Sequence, residues 1–206
     1  MRNVLVIGAG RSAVTLIKYL LDNSRENSWF VTVADFSKNL AEQAVAGHIN
    51  GSAISFNVMD DNQRVFEISN ADIIISMLPA AMHIMVAKDC VRLKKDLVTA
   101  SYVSEDIAML DDSAKKAGVL LLNEMGVDPG IDHMSAMEVI DNIKDRGGVL
   151  TSFKSFCGGL VHPDYDNNPW NYKFTWNPRN VVLAGQGTAQ YIKKGKYKYI
   201  SYNKLF

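Results

Sequence analysis

The sequence predicts an α/β protein in which a doubly wound parallel sheet is followed by the start of an α+β domain. Three observations carry that prediction. The apolar run Val4 to Ile7 passes at once into Gly8-Ala9-Gly10-Arg11-Ser12-Ala13 and then into apolar positions at helical spacing, Val14, Ile17, Leu20 and Leu21. Strand-length apolar runs then alternate with helical stretches as far as about residue 122. Beyond Gly147-Gly148 the pattern changes to a two-residue alternation and a loop that mixes Asp, Asn and Pro with aromatic residues.

The first element is a strand, a tight turn and a helix over roughly residues 11 to 23. G-x-G-x-x-A in this setting is a dinucleotide fingerprint: Gly8 permits the turn, Gly10 lets a pyrophosphate approach the backbone, and Ala13 keeps the helix close to the sheet. Arg11 and Ser12 then stand at the positive helix end that receives the phosphates. The second strand, Phe30 to Ala34, ends in Asp35, near the spacing at which such folds place a ribose-binding acid. Its carboxylate favours NAD and repels the 2′-phosphate of NADP, a preference that Ser37 and Lys38 soften; the alternative is that Asp35 caps the next helix.

The alternation continues with a helix over 38–46, a strand over 53–58, a helix over 61–69 and a strand over 72–77 that ends in Leu78-Pro79. A helix over 81–93, a strand over 97–100 running into Ser101-Tyr102, a helix over 105–117 and a strand over 119–122 complete it. Six strands separated by helices predict a Rossmann-type parallel sheet covered on both faces. Residues 1–130 form the expected dinucleotide-binding domain, and residues 131–206 a partial substrate-binding and dimerisation domain.

In open parallel sheets ligands sit beyond the carboxyl ends of the strands. Here those ends are Gly8 to Ala13, Asp35, Asn57-Val58, Met77-Leu78-Pro79, Ser101-Tyr102 and Glu124 to Pro129. The sixth belongs to Asn123-Glu124-Met125-Gly126-Val127-Asp128-Pro129-Gly130-Ile131-Asp132-His133, the stretch densest in special chemistry. Its glycines and Asp-Pro pair dictate a sharp turn that delivers Asp128, Asp132 and His133 to a helix entrance. The helix runs to Arg146, with Met134 and Met137 expected in the core, and a half-buried strand is expected over 149–156. After it come Cys157-Gly158-Gly159 and a loop holding Trp170, Tyr172, Phe174 and Trp176, either a partner surface or one wall of a pocket.

A dinucleotide domain followed by the opening of another is the layout of a dehydrogenase whose substrate lies between the two. The protein must orient the substrate and handle protons, and the candidates are Ser101, Tyr102, Asp128 and Cys157. His133, a single histidine inside a helix, reads as a packing or capping residue. Nothing follows a Ser-His-Asp order, a metal-ligand spacing or a phosphate-cleaving lysine loop, so no metal is expected.

Composition is ordinary for a soluble globular protein and argues against disorder: of 206 residues, 48% are hydrophobic and 21% charged. The net charge is zero, and the lysines at 193, 194, 196, 198 and 204 read as a solvated face, which argues against a nucleic-acid binder. No apolar run approaches the roughly 20 residues needed to cross a bilayer, and Met1-Arg2-Asn3 leads straight into a strand, so no membrane partner and a cytoplasmic location are expected.

Four motifs, Thr99 to Ser104, Asn123 to His133, Ser155-Phe156-Cys157-Gly158-Gly159-Leu160 and Asn168 to Trp176, resemble those of the saccharopine dehydrogenase family of the glutamate-forming kind, over essentially the whole chain. The resemblance implies an oxidoreductase of lysine metabolism, a homodimer, that passes hydride between a nicotinamide cofactor, NAD or NADP, and the secondary amine of saccharopine. It implies that Gly8, Gly10, Arg11 and Ser12 cradle the pyrophosphate, that Asn57, Val58, Met77 and Leu78 lie along the cofactor, and that Val127, Asp128 and Pro129 reach the nicotinamide. It further implies that Ser101, Tyr102 and Asp128 contact an amino-dicarboxylate substrate; the expected division of roles puts Asp128 on its ammonium and has Tyr102 or Cys157 help manage protons.

Asp35-Phe36 stands where NADP-using fungal members are expected to place an arginine, which favours NAD. Family members are also considerably longer, so this chain is expected to be a truncated or split form, or part of a longer protein, that binds a dinucleotide better than it turns saccharopine over. The alternatives are an imine reductase of polyamine synthesis, similar to carboxynorspermidine or homospermidine synthase, and a truncated, non-catalytic dinucleotide-binding module.

Overall fold

Runs of β-branched and other apolar residues, too short for buried helices, explain the central sheet. In a computed structural model, which describes residues 1–156, 161–174, 178, 179, 182 and 187–204, six such runs pair in parallel: β1 (Arg2–Ile7), β2 (Trp29–Asp35), β3 (Gly51–Ser55), β4 (Ile73–Ser76), β5 (Asp96–Thr99) and β6 (Leu121–Leu122). Their order across the sheet is β3-β2-β1-β4-β5-β6. The chain therefore leaves β1 in one direction and returns after β3 to build in the other, which opens a crevice between β1 and β4 at their carboxyl ends. The register fixes which atoms meet there: Ile7 pairs with Ala34 on one side and Ser76 on the other.

Helices cover both faces because each strand buries side chains on both. On one face α1 (Val14–Asp22) and α2 (Lys38–Val45) place Ile17, Leu20, Leu21, Ala41 and Val45 against Val4, Val6, Val31 and Val33. On the other, α3 (Asp61–Asn70) and α4 (His83–Leu93) bring Ile68, Val86, Ala87 and Cys90 against Leu5, Ile7, Ile74 and Leu97. Ile17 and Ile74 are wholly inaccessible, so truncating either to alanine costs about 2–5 kcal/mol. The doubly wound arrangement is the one the sequence predicts.

Several boundaries differ. β3 begins two residues earlier than expected and stops at Ser55, because Phe56 and Val58 turn into the core beyond the strand's end. The helix expected over 105–117 is two, α5 (Glu105–Ala108) and α6 (Asp111–Ala117). Each has its own start signal: the Ser104 hydroxyl accepts from the Ile107 N–H, and Asp111 and Asp112 place negative charge in the first turn of α6. The helix after the dense motif is α7 (Ile131–Asp145), and none of its residues is buried. Met134 and Met137, expected in the core, are 54% and 49% exposed. Helical spacing identified their element, but packing needs an opposing surface.

The strand expected over 149–156 is absent: that stretch carries no regular structure, and Val149 and Phe156 are 85% and 90% exposed. Alternation alone does not make a strand without a partner. A first compact unit spans Met1–Cys157 and a second Gly158–Phe206. Within the second, β7 (Ala189–Lys193) and β8 (Lys196–Ile200) form an antiparallel hairpin that the sequence reading did not anticipate. Lys194 and Gly195, both at positive φ, form its two-residue turn. Lys193, Lys194, Lys196, Lys198 and Lys204 are exposed, as a solvated face requires.

Candidate active site at the carboxyl ends of the strands

The turn after β1 is set by close approach. Gly8 has φ +106°, and a Cβ there would lie 2.9 Å from the carbonyl oxygen of Met77, at the end of β4. The neighbouring strand thus excludes a side chain. Gly10 is different: a Cβ on it would meet no protein atom within 4 Å. Packing does not demand a glycine at that position, whereas a phosphate resting on the backbone would. Gly10, Arg11 and Ser12 are exposed, and no side chain caps the start of α1. This is a cradle with backbone N–H groups and a helix end available to an anion.

Asp35 completes that end of the crevice. One carboxylate oxygen accepts from the Ala9 N–H at 2.7 Å and the other from the Ser37 N–H at 2.8 Å. The cap of α2 is Ser37, whose hydroxyl accepts from Leu40. Asp35 instead ties the glycine loop to the end of β2, where its half-buried carboxylate fixes a negative charge beside the phosphate cradle.

The third and fourth strand ends are mixed. Asn57 is exposed and its side-chain oxygen accepts from the Met59 N–H at 3.1 Å. Val58 lies in the core, and its carbonyl accepts from Arg64 Nη1 at 2.6 Å, so its side chain does not face a ligand. Met77 and Leu78 are half-buried and pack against the two core clusters on opposite faces.

At the sixth end the dense motif folds back on itself. The Gly126 N–H donates to the Pro129 carbonyl at 2.9 Å, and the Ile131 N–H to the Gly126 carbonyl at 3.0 Å. The Asp128-Pro129 peptide is cis. Gly130 has φ +151°, and a Cβ there would come within 2.1 Å of the Gly126 carbonyl oxygen, so no other residue fits. Asp132 accepts from the Gly130 N–H at 3.0 Å and pairs with His133 Nδ1 at 2.7 Å. Burial works against the Asp132 charge, but the His133 and Gly130 hydrogen bonds outweigh it and lower the carboxyl's pKa; the same pairing raises that of His133.

The fold brings Tyr102 and Asp128 together across this end. The tyrosine hydroxyl donates to Asp128 Oδ1 at 3.2 Å, and desolvation followed by the Asp128 charge raises the phenol's pKa. Tyr102 is 62% exposed and Val127 68%, so both face outward, while Pro129 is buried. Glu124 Oε1 accepts from the Val103 N–H at 3.1 Å, holding the fifth and sixth ends side by side. Cys157, the remaining catalytic expectation, lies outside the described residues. Cys90 is buried, and its thiol is pushed up to about 12, so it is no nucleophile.

Two groups escaped the sequence reading. His83, the first residue of α4, is buried, and its ring bridges Ser76 at the end of β4 (2.8 Å) and Ser101 after β5 (2.7 Å). Burial lowers its pKa to about 4. No motif announces it, since His83 stands in an ordinary helical pattern. Asn123 is the second: its side-chain Nδ2 is buried and, among the described residues, has no hydrogen-bond partner, at the start of the dense motif. A buried amide donor left open beside a strand end is the type of group a ligand carbonyl satisfies.

Comparison with known proteins places the chain in a family. The family described as "Saccharopine dehydrogenase NADP binding domain" matches residues 4–122, and "Saccharopine dehydrogenase C-terminal domain" matches residues 126–206. The chain is 41% identical to saccharopine dehydrogenase [NADP(+), L-glutamate-forming] of Saccharomyces cerevisiae, covering 97% of this chain and 44% of that protein. It is 38% identical to an Arabidopsis thaliana alpha-aminoadipic semialdehyde synthase, over 98% of this chain and 21% of that protein. The solved apo structure of saccharopine dehydrogenase (L-Glu forming) from Saccharomyces cerevisiae superposes with a TM-score of 0.87 at 38% identity, covering all of this chain and 45% of that one. The chain thus spans less than half the length of these relatives. With the glycine cradle, the strand order and both family matches in agreement, the chain belongs to the saccharopine dehydrogenase family.

Proposed function

We propose that the chain supplies the nicotinamide-dinucleotide site and one wall of the substrate site of an oxidoreductase acting on the secondary amine of saccharopine, on the glutamate and 2-aminoadipate semialdehyde side. In this reading residues 1–130 hold the dinucleotide and residues 131–206 open the substrate domain. The observation that carries it is the cradle after β1: Gly10 has open space where the protein itself needs no glycine, and the Asp35 carboxylate is fixed beside it.

The nicotinamide cofactor supplies a hydride acceptor. The chain's own residues bind and orient. Gly8, Gly10, Arg11 and Ser12 offer backbone donors and the α1 end to the pyrophosphate, and Asp35 accepts from the ribose hydroxyls. Asp128 receives the substrate's protonated amine by charge, and the Tyr102 hydroxyl, held at 3.2 Å, orients that carboxylate. Desolvation, followed by the Asp128 charge, raises the phenol's pKa, which suits Tyr102 to donating a hydrogen bond rather than to acting as a base.

NAD is the favoured partner. A carboxylate at Asp35 repels a 2′-phosphate, and the residue after it, Phe36, is 80% exposed and brings no cation. The named NADP-dependent relatives make the opposite choice the sharpest challenge. Fluorescence titration of the purified chain with NADH and NADPH tests it: NADH should bind at least about tenfold more tightly. Equal affinity, or tighter NADPH, removes Asp35 from that role. A saccharopine-dependent NADH assay tests the rest. Turnover should be far below what dinucleotide binding would allow, and full steady-state activity of the 206-residue chain would contradict the partial-site reading.

A further inference from the structure

We infer that His83 is a positioning residue that holds the Ser101 hydroxyl as a hydrogen-bond donor aimed at a carboxylate ligand. Four polar side chains meet at the ends of β4 and β5. The ring of His83 lies 2.8 Å by Nδ1 from Ser76 Oγ, and by Nε2 2.7 Å from Ser101 Oγ and 3.3 Å from Thr99 Oγ1. Ser76, His83 and Thr99 are essentially sealed from solvent, whereas Ser101 is half-buried. The cluster is therefore a chain of hydrogen bonds with one open end.

A neutral imidazole has one N–H and one bare nitrogen, so the chain must run in one direction. Burial and a place in the first turn of α4, where a cation is disfavoured, both keep the ring neutral. The direction follows from hydrogen-bond satisfaction. Among the described residues Ser76 Oγ has one partner, His83 Nδ1. If Nδ1 carried the proton, the buried Ser76 hydroxyl would have no acceptor for its own. With the proton on Nε2, Ser76 donates to Nδ1 and Nε2–H donates to Ser101. Thr99 does not alter the balance: a bare Nε2 has one lone pair, which the Ser101 hydroxyl at 2.7 Å takes before the Thr99 hydroxyl at 3.3 Å, and a protonated Nε2 accepts nothing, so the Thr99 proton lacks this acceptor in both cases. The second arrangement leaves one fewer buried donor unpaired, and such donors are avoided.

The consequence lies at the open end. Ser101 already accepts from His83, so its own proton points away from the cluster and is available to an acceptor. That presents Ser101 as a donor suited to a carboxylate oxygen. It also divides the labour with Asp128, which receives the cationic part of the same ligand. The inference rests on the proposed function only in taking the ligand to be an amino-dicarboxylate.

The test needs no turnover. Long-range proton–nitrogen NMR on the 206-residue chain reads the tautomer of His83 directly. The expected result is a neutral Nε2–H form from pH 8 to pH 5 that shifts towards Nδ1–H in Ser76→Ala. An Nδ1–H form in the wild type overturns the inference. Titration with glutarate, a plain five-carbon dicarboxylate, followed at the Ser101 and Tyr102 amides, tests the ligand class. Binding should weaken about tenfold in Ser101→Ala and in Ser76→Ala and be retained in Ser101→Thr, a hydrogen bond to a charged group being involved. Equal affinity in wild type and Ser76→Ala overturns the directional role, and no perturbation at Ser101 in the wild type overturns the carboxylate assignment. Dinucleotide titration of the same samples keeps the two readings apart: failure to bind NADH or NADPH strikes the proposed function and leaves the His83 result standing.

Discussion

The first and the sixth strand ends, to which the proposed function assigns the two halves of the site, are built in opposite ways. After β1 the atoms presented are backbone N–H groups, and the Asp35 side chain beside them is held by backbone donors on both oxygens. After β6 the backbone is fixed just as firmly, by Gly126 and Gly130, but what it presents is side chains, Tyr102 and Asp128, facing outward. A pyrophosphate is similar in every dinucleotide, so rigid backbone suffices for it. A substrate must be told apart from its relatives, and that falls to side chains which can be exchanged without disturbing the fold.

The largest expected effect breaks the shared part of that comparison. In Gly130→Ala the new Cβ would overlap the Gly126 carbonyl oxygen at 2.1 Å in a conformation that L side chains rarely adopt, so the loop must rebuild at a cost of about 3 kcal/mol or more. Denaturant unfolding should show that loss. A variant within about 0.5 kcal/mol of wild type would mean that the turn does not anchor Asp128 as described.

Much of this was legible in the sequence because it rests on local rules. The spacing of Gly8, Gly10 and Ala13, the end of β2 at Asp35 and the Asp128-Pro129-Gly130 turn each follow from backbone chemistry within a few residues. What escaped depends on distant partners. His83 acquires its meaning from Ser76 and Ser101, which the sheet brings to it. Val58 ends an apolar run but turns into the core, and the alternation after Gly148 pairs with no strand among the described residues. Met134 and Met137 show the same limit from the other side, since helical spacing does not say what will cover the helix.

His83 lies between the two ends, and acid should reveal it. Its folded pKa is about 4 against an ordinary 6.5, lowered by burial. The unfolded chain therefore takes up this proton first as the pH falls. The stability contribution is complete above pH 6.5 and disappears on descending to about 4, by up to about 3 kcal/mol. His83→Gln, which cannot titrate, should lack this component, so the stability difference between the two proteins should narrow across that interval. Parallel pH curves would show that His83 is not held neutral.

Gly10→Val separates ligand demand from fold demand at the first end. Because no protein atom lies within 4 Å of the added position, thermal stability should stay near that of the wild type, while the bulk would occupy the space proposed for the pyrophosphate. Dinucleotide affinity should fall by at least about tenfold, roughly 1.4 kcal/mol. Unchanged affinity would move the phosphates away from Gly10.

The smallest effect belongs to Tyr102→Phe at the sixth end. The lost hydrogen bond to Asp128 is 3.2 Å long and largely in water, and Tyr102 is 62% exposed, so stability should change by less than about 0.5 kcal/mol. Dinucleotide affinity should not change either if, as proposed, the hydroxyl serves the substrate side. What should move is the affinity for an aminated dicarboxylate such as glutamate, because Asp128 then loses the donor that orients it. A fall in glutamate affinity with NADH binding intact supports the division between the two ends. A fall in NADH binding with glutamate affinity unchanged would place Tyr102 on the cofactor instead and merge the two halves of the site.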